Sequence, residues 1–176
     1  MDEKVIERLE TLKFKGIKEA YEEQQSIPAS KKVSFEERLV ILLDREIITR
    51  ENTRRRSRLR RAQLRERATF EEFNFTSSRG IDKNVVMSLA HLDWLKQFQN
   101  LIITGQTGVG KTYLGCAFVE KACRLGYTGL YTRFSRLAEK LYAARSDNTL
   151  QAEFERIARI DLLVIDDFGL EALSDT

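Results

Sequence analysis

Apolar positions fall first into a helical rhythm and later into an alternation of strand and helix. Near the start, Val5, Leu9 and Leu12 stand at helical spacing, and the rhythm resumes after Gly16 with Ile17, Ala20 and Tyr21. Two short helices hinged at Lys15 and Gly16 are predicted, ended by the break "SIPAS" around the sole proline, Pro28. Ser34, with Glu37 three residues on, forms a capping box in which each side chain satisfies the other's backbone amide. Behind it Phe35, Leu39, Leu42, Leu43 and Ile47 continue a helical face. The same helix then changes character. Arginine occupies positions 50, 54, 55, 56, 58, 60, 61, 65 and 67, and only Leu59, Ala62 and Leu64 keep an apolar stripe.

Downstream, "TFEEFNF" and "SSRG" read as a loop carrying three phenylalanines and a turn, followed by a helix over 82–98. Short β-branched runs then alternate with helical patterns: strand 101–104, helix 111–125, strand 129–134, helices 135–144 and 150–160, and the strand "LLVIDD". Strands separated by helices predict a parallel sheet flanked by helices, an α/β core behind an all-helical N-terminal region, with the division placed between residues 68 and 69.

Charge sharpens the division of labour. The formal net charge of the 176 residues is +3, yet residues 50–67 carry nine Lys/Arg against two Asp/Glu, so this segment is strongly cationic and the remainder slightly acidic. Arg50, Arg54, Arg55, Arg56, Arg58, Arg60, Arg61 and Arg65 are the candidate DNA contacts, suited to phosphates and lacking the interleaved aromatic residues of a base reader. A solvated face, or pairing with acids elsewhere, is the alternative for the same run. No apolar stretch approaches the roughly 18–20 residues of a membrane span, and "MDEKVIERLE" is too acidic for a secretory signal, which places the chain in a cytoplasm. Cys116 and Cys123 lie seven apart in one helical stretch without metal-ligand spacing and read as small core residues. His91 is the only histidine and reads as an ordinary surface or core residue.

The chemistry concentrates in "LIITGQTGVGKTYLGCAFVEKA". "GQTGVGKT" places Gly105, Gly110, Lys111 and Thr112 in a G-x-x-x-x-G-K-[ST] pattern, after an apolar run and before a helix. Glycines let successive amides point at phosphate oxygens, and the helix N-terminus adds partial positive charge. Lys111 reaches the β- and γ-phosphates in such a turn, and Thr112 ligates Mg²⁺. About fifty residues on, "DLLVIDDFG" ends an apolar strand in Asp166 and Asp167. In a P-loop ATPase the first acid orders the metal and the second positions or deprotonates water. Asp166 is therefore the metal candidate, and Asp167 with Lys111 the catalytic pair.

With these residues in place the chain resembles the IstB-like ATPases, helpers of insertion-sequence transposases and relatives of the DnaC-type helicase loaders in the AAA+ class. The likeness runs through "LKFKGIKEAYEEQ", "LLDREIITRENTRRRSRLRRAQL", "FEEFNF", "RGID", the glycine turn and "DLLVIDDFG". The resemblance implies an AAA+ P-loop NTPase fold and ATP with Mg²⁺ as cofactors. The nucleotide residues it carries over are Gly105, Gln106, Thr107, Gly108, Val109, Gly110, Lys111, Thr112 and Tyr113, with Thr112 and Asp166 on the metal. Arg79, Gly80 and Ile81 are implied to lie along the base. It also implies sequence-tolerant binding to duplex DNA, ATP-dependent homo-oligomers, and a partner transposase of the same element. A helicase loader, and a non-enzymatic DNA-binding or oligomer-poisoning fragment, are the other readings of the same residues.

Family members continue past the Asp-Asp strand, whereas this chain ends at Thr176. The AAA+ strand order 5-1-4-3-2 leaves nothing here to lie between the strand before the glycine turn and the Asp-Asp strand. The expectation is a core incomplete at its C-terminal side, with 101–104 exposed, the metal acids loosely held, and hydrolysis weak without the family's arginine finger.

Overall fold

The computed structural model describes residues 2–27, 33–75 and 80–169; Pro28 and Arg79 lie outside them. The chain divides into two compact units, Met1–Arg56 and Ser57–Thr176.

In the first unit the helical rhythm becomes α1 (Asp2–Thr11), α2 (Lys15–Ser26) and the 27-residue α3 (Phe35–Arg61), whose end belongs to the second unit. The capping box forms as read: the Ser34 amide donates to Glu37 Oε2 and the Glu37 amide to Ser34 Oγ, each at 3.2 Å. The hinge sits earlier than the glycine suggested. Lys13 takes φ 58° between α1 and α2, while Gly16 lies inside α2. Its function is close approach, because a Cβ there would lie 2.6 Å from Arg45 O and 2.7 Å from Glu46 Cα of α3. At that crossing the buried Glu46 carboxylate accepts the Gly16 and Ile17 amides at 2.7 and 3.1 Å, capping the otherwise uncapped start of α2, and Arg50 Nε at 2.7 Å. Arg50 also stacks its guanidinium 5.2 Å from the centre of the Phe14 ring.

The second unit begins at Ser57 rather than at residue 69, because the end of α3 and the segment behind it pack with its core: Leu59 lies against it partly buried. Ala62 and Ala68 are fully buried with Phe70 and Phe73, and Arg58 Nε donates to Cys123 O at 2.9 Å. The single helix expected over 82–98 is two, α4 (Lys83–Leu89) and α5 (Asp93–Lys96). Leu92 breaks it, taking a left-handed φ of 60° that lets its side chain be wholly buried. Then come α6 (Lys111–Arg124), β1 (Gly129–Arg133), α7 (Phe134–Ser146), α8 (Leu150–Ala158) and β2 (Leu162–Asp166). Helix α6 is the centre of the core: Cys116, Ala117, Val119, Ala122 and Cys123 are fully buried, and the Phe118 ring meets Phe70 and Trp94 edge-on. Both cysteines are free, small core residues as expected.

Strands β1 and β2 pair in parallel, in register from Gly129↔Leu162 to Arg133↔Asp166. The start of the pair is fixed by Asp161, whose Oδ2 accepts both the amide and the hydroxyl of Thr128 at 2.7 Å. The expected strand at 101–104 is not a strand: its residues join no ladder, Ile102 is 84 % exposed, and the described sheet has two strands. Among the described residues the run has no neighbouring strand with which to exchange backbone hydrogen bonds, and it stays irregular.

Candidate nucleotide site

The glycine turn leads into α6 with Gly108 at φ 86° and Gly110, the helix cap, at φ 102°. Both lie in the left-handed region that glycine tolerates and L side chains resist. Gly110 has no side chain with which to cap α6, whose first amides, like those of any helix, have no intrahelical acceptor. Lys111 curls back over the turn, its Nζ donating to Gly105 O and Gln106 O at 2.8 Å each. The turn opens on a cleft of about 1840 Å³ whose walls include Gly105, Lys111, Thr112, Tyr131, Asp166 and Asp167.

The two halves of the motif meet across α6 and β2. Thr112 Oγ1 donates to Asp166 Oδ2 at 2.6 Å, and Asp166 Oδ1 accepts the Asp167 amide at 3.0 Å. Burial pushes the Asp166 carboxyl upward, but hydrogen bonds from Thr112, Tyr131 and the Asp167 amide, with the positive charge of Arg65, carry it below its ordinary value. The acid is therefore ionised and acceptor-only, so the proton in the short contact belongs to Thr112 and that hydroxyl keeps its lone pairs. These are the hard oxygen donors that suit Mg²⁺, a cation usually held by one or two protein oxygens together with substrate phosphates. Among the described residues no cluster of three or more His, Cys, Asp or Glu forms an all-protein cage. Asp167, just beyond β2 at φ 56°, has Oδ2 3.5 Å from Arg133 Nε in a half-exposed ion pair that leaves its second oxygen able to accept from water.

Other candidates land elsewhere. The Tyr113 ring lies against Phe73 with its hydroxyl donating to Thr69 O at 3.1 Å, turned from the phosphate turn although its ring still lines the cleft. Ile81 packs on the core, and the cleft wall is formed instead by Trp94, Leu95 and Phe98. Of the arginines, Arg54, Arg56, Arg60 and Arg61 are exposed, Arg55 is half-buried, Arg50 and Arg58 are held as above, and Arg65 lines the nucleotide cleft.

Sequence reasoning missed Tyr131. Its hydroxyl donates to Asp166 Oδ2 at 2.6 Å, and burial together with that carboxylate pushes its pKa up to about 12. The available signal was spacing: in a parallel register pairing Arg133 with Asp166, a residue two back on β1 shares the face on which the acid lies.

A glycine turn opening α6, met by a β2 carboxylate beside a parallel neighbour, defines a P-loop NTPase domain. Residues 7–176 match the family model for IstB-like ATP binding proteins. An ATP-binding protein of insertion sequence IS1162 in Pseudomonas fluorescens is 39 % identical over 176 residues, 99 % of this chain and 76 % of that protein. An insertion-sequence ATP-binding protein of Sinorhizobium fredii is 37 % identical over 97 % of this chain and 69 % of its own length. For the insertion sequence IS21 protein of Pseudomonas aeruginosa the figures are 34 %, 80 % and 53 %. The chain belongs to the IstB-like ATP-binding protein family. No helix among the described residues is long and apolar enough to cross a membrane.

Proposed function

We propose that this chain is the ATP-binding helper of an insertion-sequence transposase, binding ATP with Mg²⁺ and duplex DNA and acting on the transposase of its own element. The observation that carries the nucleotide reading is the 2.6 Å contact between Thr112 and Asp166, which brings the two distant motif halves to one point. Lys111 leaves Gly105 O and Gln106 O for the β- and γ-phosphates, and the amides of the turn and of α6 surround them. Thr112 would hold Mg²⁺, with Asp166 as acceptor behind, and the ion would supply charge neutralisation at the terminal phosphates. Asp167, paired with Arg133 through one oxygen, would orient the attacking water with the other. The curated relatives' names support the ATP and insertion-sequence parts of this reading.

DNA binding is assigned to the exposed Arg54, Arg56, Arg60 and Arg61, in a segment without base-reading side chains. The helper assembles as an oligomer on DNA and works in the cytoplasm. The test is equilibrium binding of a fluorescent ATP analogue with Mg²⁺ to the 176-residue chain and to Lys111→Ala. Micromolar binding, weakened at least tenfold by the substitution, is the expected result. Equal binding by both proteins, or by neither, refutes the site.

A further inference from the structure

Tyr131 is 5 % exposed, its ring in the core cluster around α6 and its amide donating to Ala62 O at 2.8 Å. A buried phenol needs a partner, and many take a backbone carbonyl; this one takes the carboxylate on which Thr112 also depends. Asp166 Oδ2 thus receives two side-chain donors at 2.6 Å, one from α6 and one from β1, while Oδ1 receives the Asp167 amide. Together the three contacts fix the plane of the carboxylate. Without the phenol, Thr112 alone would hold Oδ2, and a carboxylate free to turn about its last bond would no longer dictate where the Thr112 lone pairs point. Mg²⁺ tolerates such freedom poorly, because it demands near-ideal octahedral geometry.

We propose that Tyr131 is a positioning residue of the magnesium site, its hydroxyl holding Asp166 in the orientation that lets Thr112 donate to it and still offer its oxygen to the cation. The inference rests on the ATP and Mg²⁺ reading above. Arg65 lines the same cleft, as do Tyr131 and Asp166.

The experiment measures the dissociation constant of a fluorescent ATP analogue in EDTA and in Mg²⁺ for the wild-type chain, Tyr131→Phe, Asp166→Ala and the double variant, with a thermal melt of each. Phenylalanine keeps the ring in the core and removes one oxygen, and alanine at 166 removes both acceptor oxygens. Loss of a hydrogen bond to a charged group reduces the Mg²⁺ enhancement of affinity by roughly tenfold, with the EDTA value unchanged within about twofold. In the Asp166→Ala background Tyr131→Phe changes the enhancement by less than about twofold, since the two act through one contact. Equal losses with and without Mg²⁺, a full effect persisting in the Asp166→Ala background, or an abolished melt in Tyr131→Phe would each overturn the role by showing that the hydroxyl serves the fold. An enhancement undiminished in Tyr131→Phe would overturn the role while leaving the ATP site standing. A wild-type chain that binds no nucleotide would bring down the site and this role together.

Discussion

Removing the Glu46 carboxylate tests the first unit at its most constrained point. Glu46→Ala leaves the Gly16 and Ile17 amides at the start of α2 without their acceptor and Arg50 without its partner. Loss of a helix cap costs about 1 kcal/mol and reaches about 2 where the site is buried. The Arg50 side chain is 49 % exposed, so its ion pair adds no more than about 1 kcal/mol. Two amides turned toward a buried crossing that water reaches poorly bring the total to about 3 kcal/mol. A unit of this size has only about 3–8 kcal/mol in all. The transition reported by α2 should therefore fall by about 12–24 °C at 4–8 °C per kcal/mol. Circular dichroism at 222 nm follows it, and hydrogen exchange of residues 16–20 locates it. Burial opposes ionisation of Glu46, but Arg50 and the two amides outweigh it and hold the carboxyl below its usual value. A depressed folded-state pKa means the contribution is fully present above the unfolded value near 4.5 and is lost as pH falls through the folded value. Glu46→Gln should accordingly flatten the acid limb of the stability curve. A shift of less than about 4 °C in Glu46→Ala would mean that desolvating the carboxylate cancels its hydrogen bonds, and the reasoning would fail.

Three further outcomes are expected. If the four exposed arginines meet phosphates, log K for random-sequence duplex should fall with log salt at a slope of about −3.6, and replacing Arg54, Arg56, Arg60 and Arg61 with alanine should remove most of it; binding that survives only on one sequence contradicts the assignment. Glu153, gripped by Arg156 and, against its burial, also by Lys140, has a pKa lowered to about 2 and ties α8 to α7. Its contribution is present above the ordinary value of 4.5 and lost as pH falls toward 2, so Glu153→Gln should lower the melting temperature at pH 7 and make little difference near pH 2. Gly16→Ala should destabilise the first unit through backbone overlap with α3, detectable as a lower melting temperature with nucleotide binding unchanged.

Local chemistry was legible in the sequence wherever neighbours in the chain are neighbours in space. The Ser34 capping box, the glycine turn opening α6 and the Asp-Asp end of β2 each declare themselves within a few residues. Readings failed where distant packing decided. Gly16 looked like a hinge because glycine often is one, yet α3 pressing on it explains its presence. Leu92 gave no warning of a break, since leucine favours helix and only its complete burial explains the left-handed turn. Residues 101–104 have the composition of a strand, but a strand exists only with a partner, which no propensity supplies. Tyr131 was invisible for the converse reason, because its importance comes from the register of two strands about thirty residues apart.

The curled posture of Lys111 makes the turn its own competitor. A phosphate that drew the ammonium fully to itself would have to replace two intramolecular hydrogen bonds held at permanently high effective concentration. Such a threshold grades ligands by reach: a group that touches only the mouth of the turn leaves the lysine satisfied where it is. One that brings negative charge to the end of the side chain releases it. Discrimination between long and short phosphate chains would then be written into the turn itself, before any contact with a base or a sugar is made.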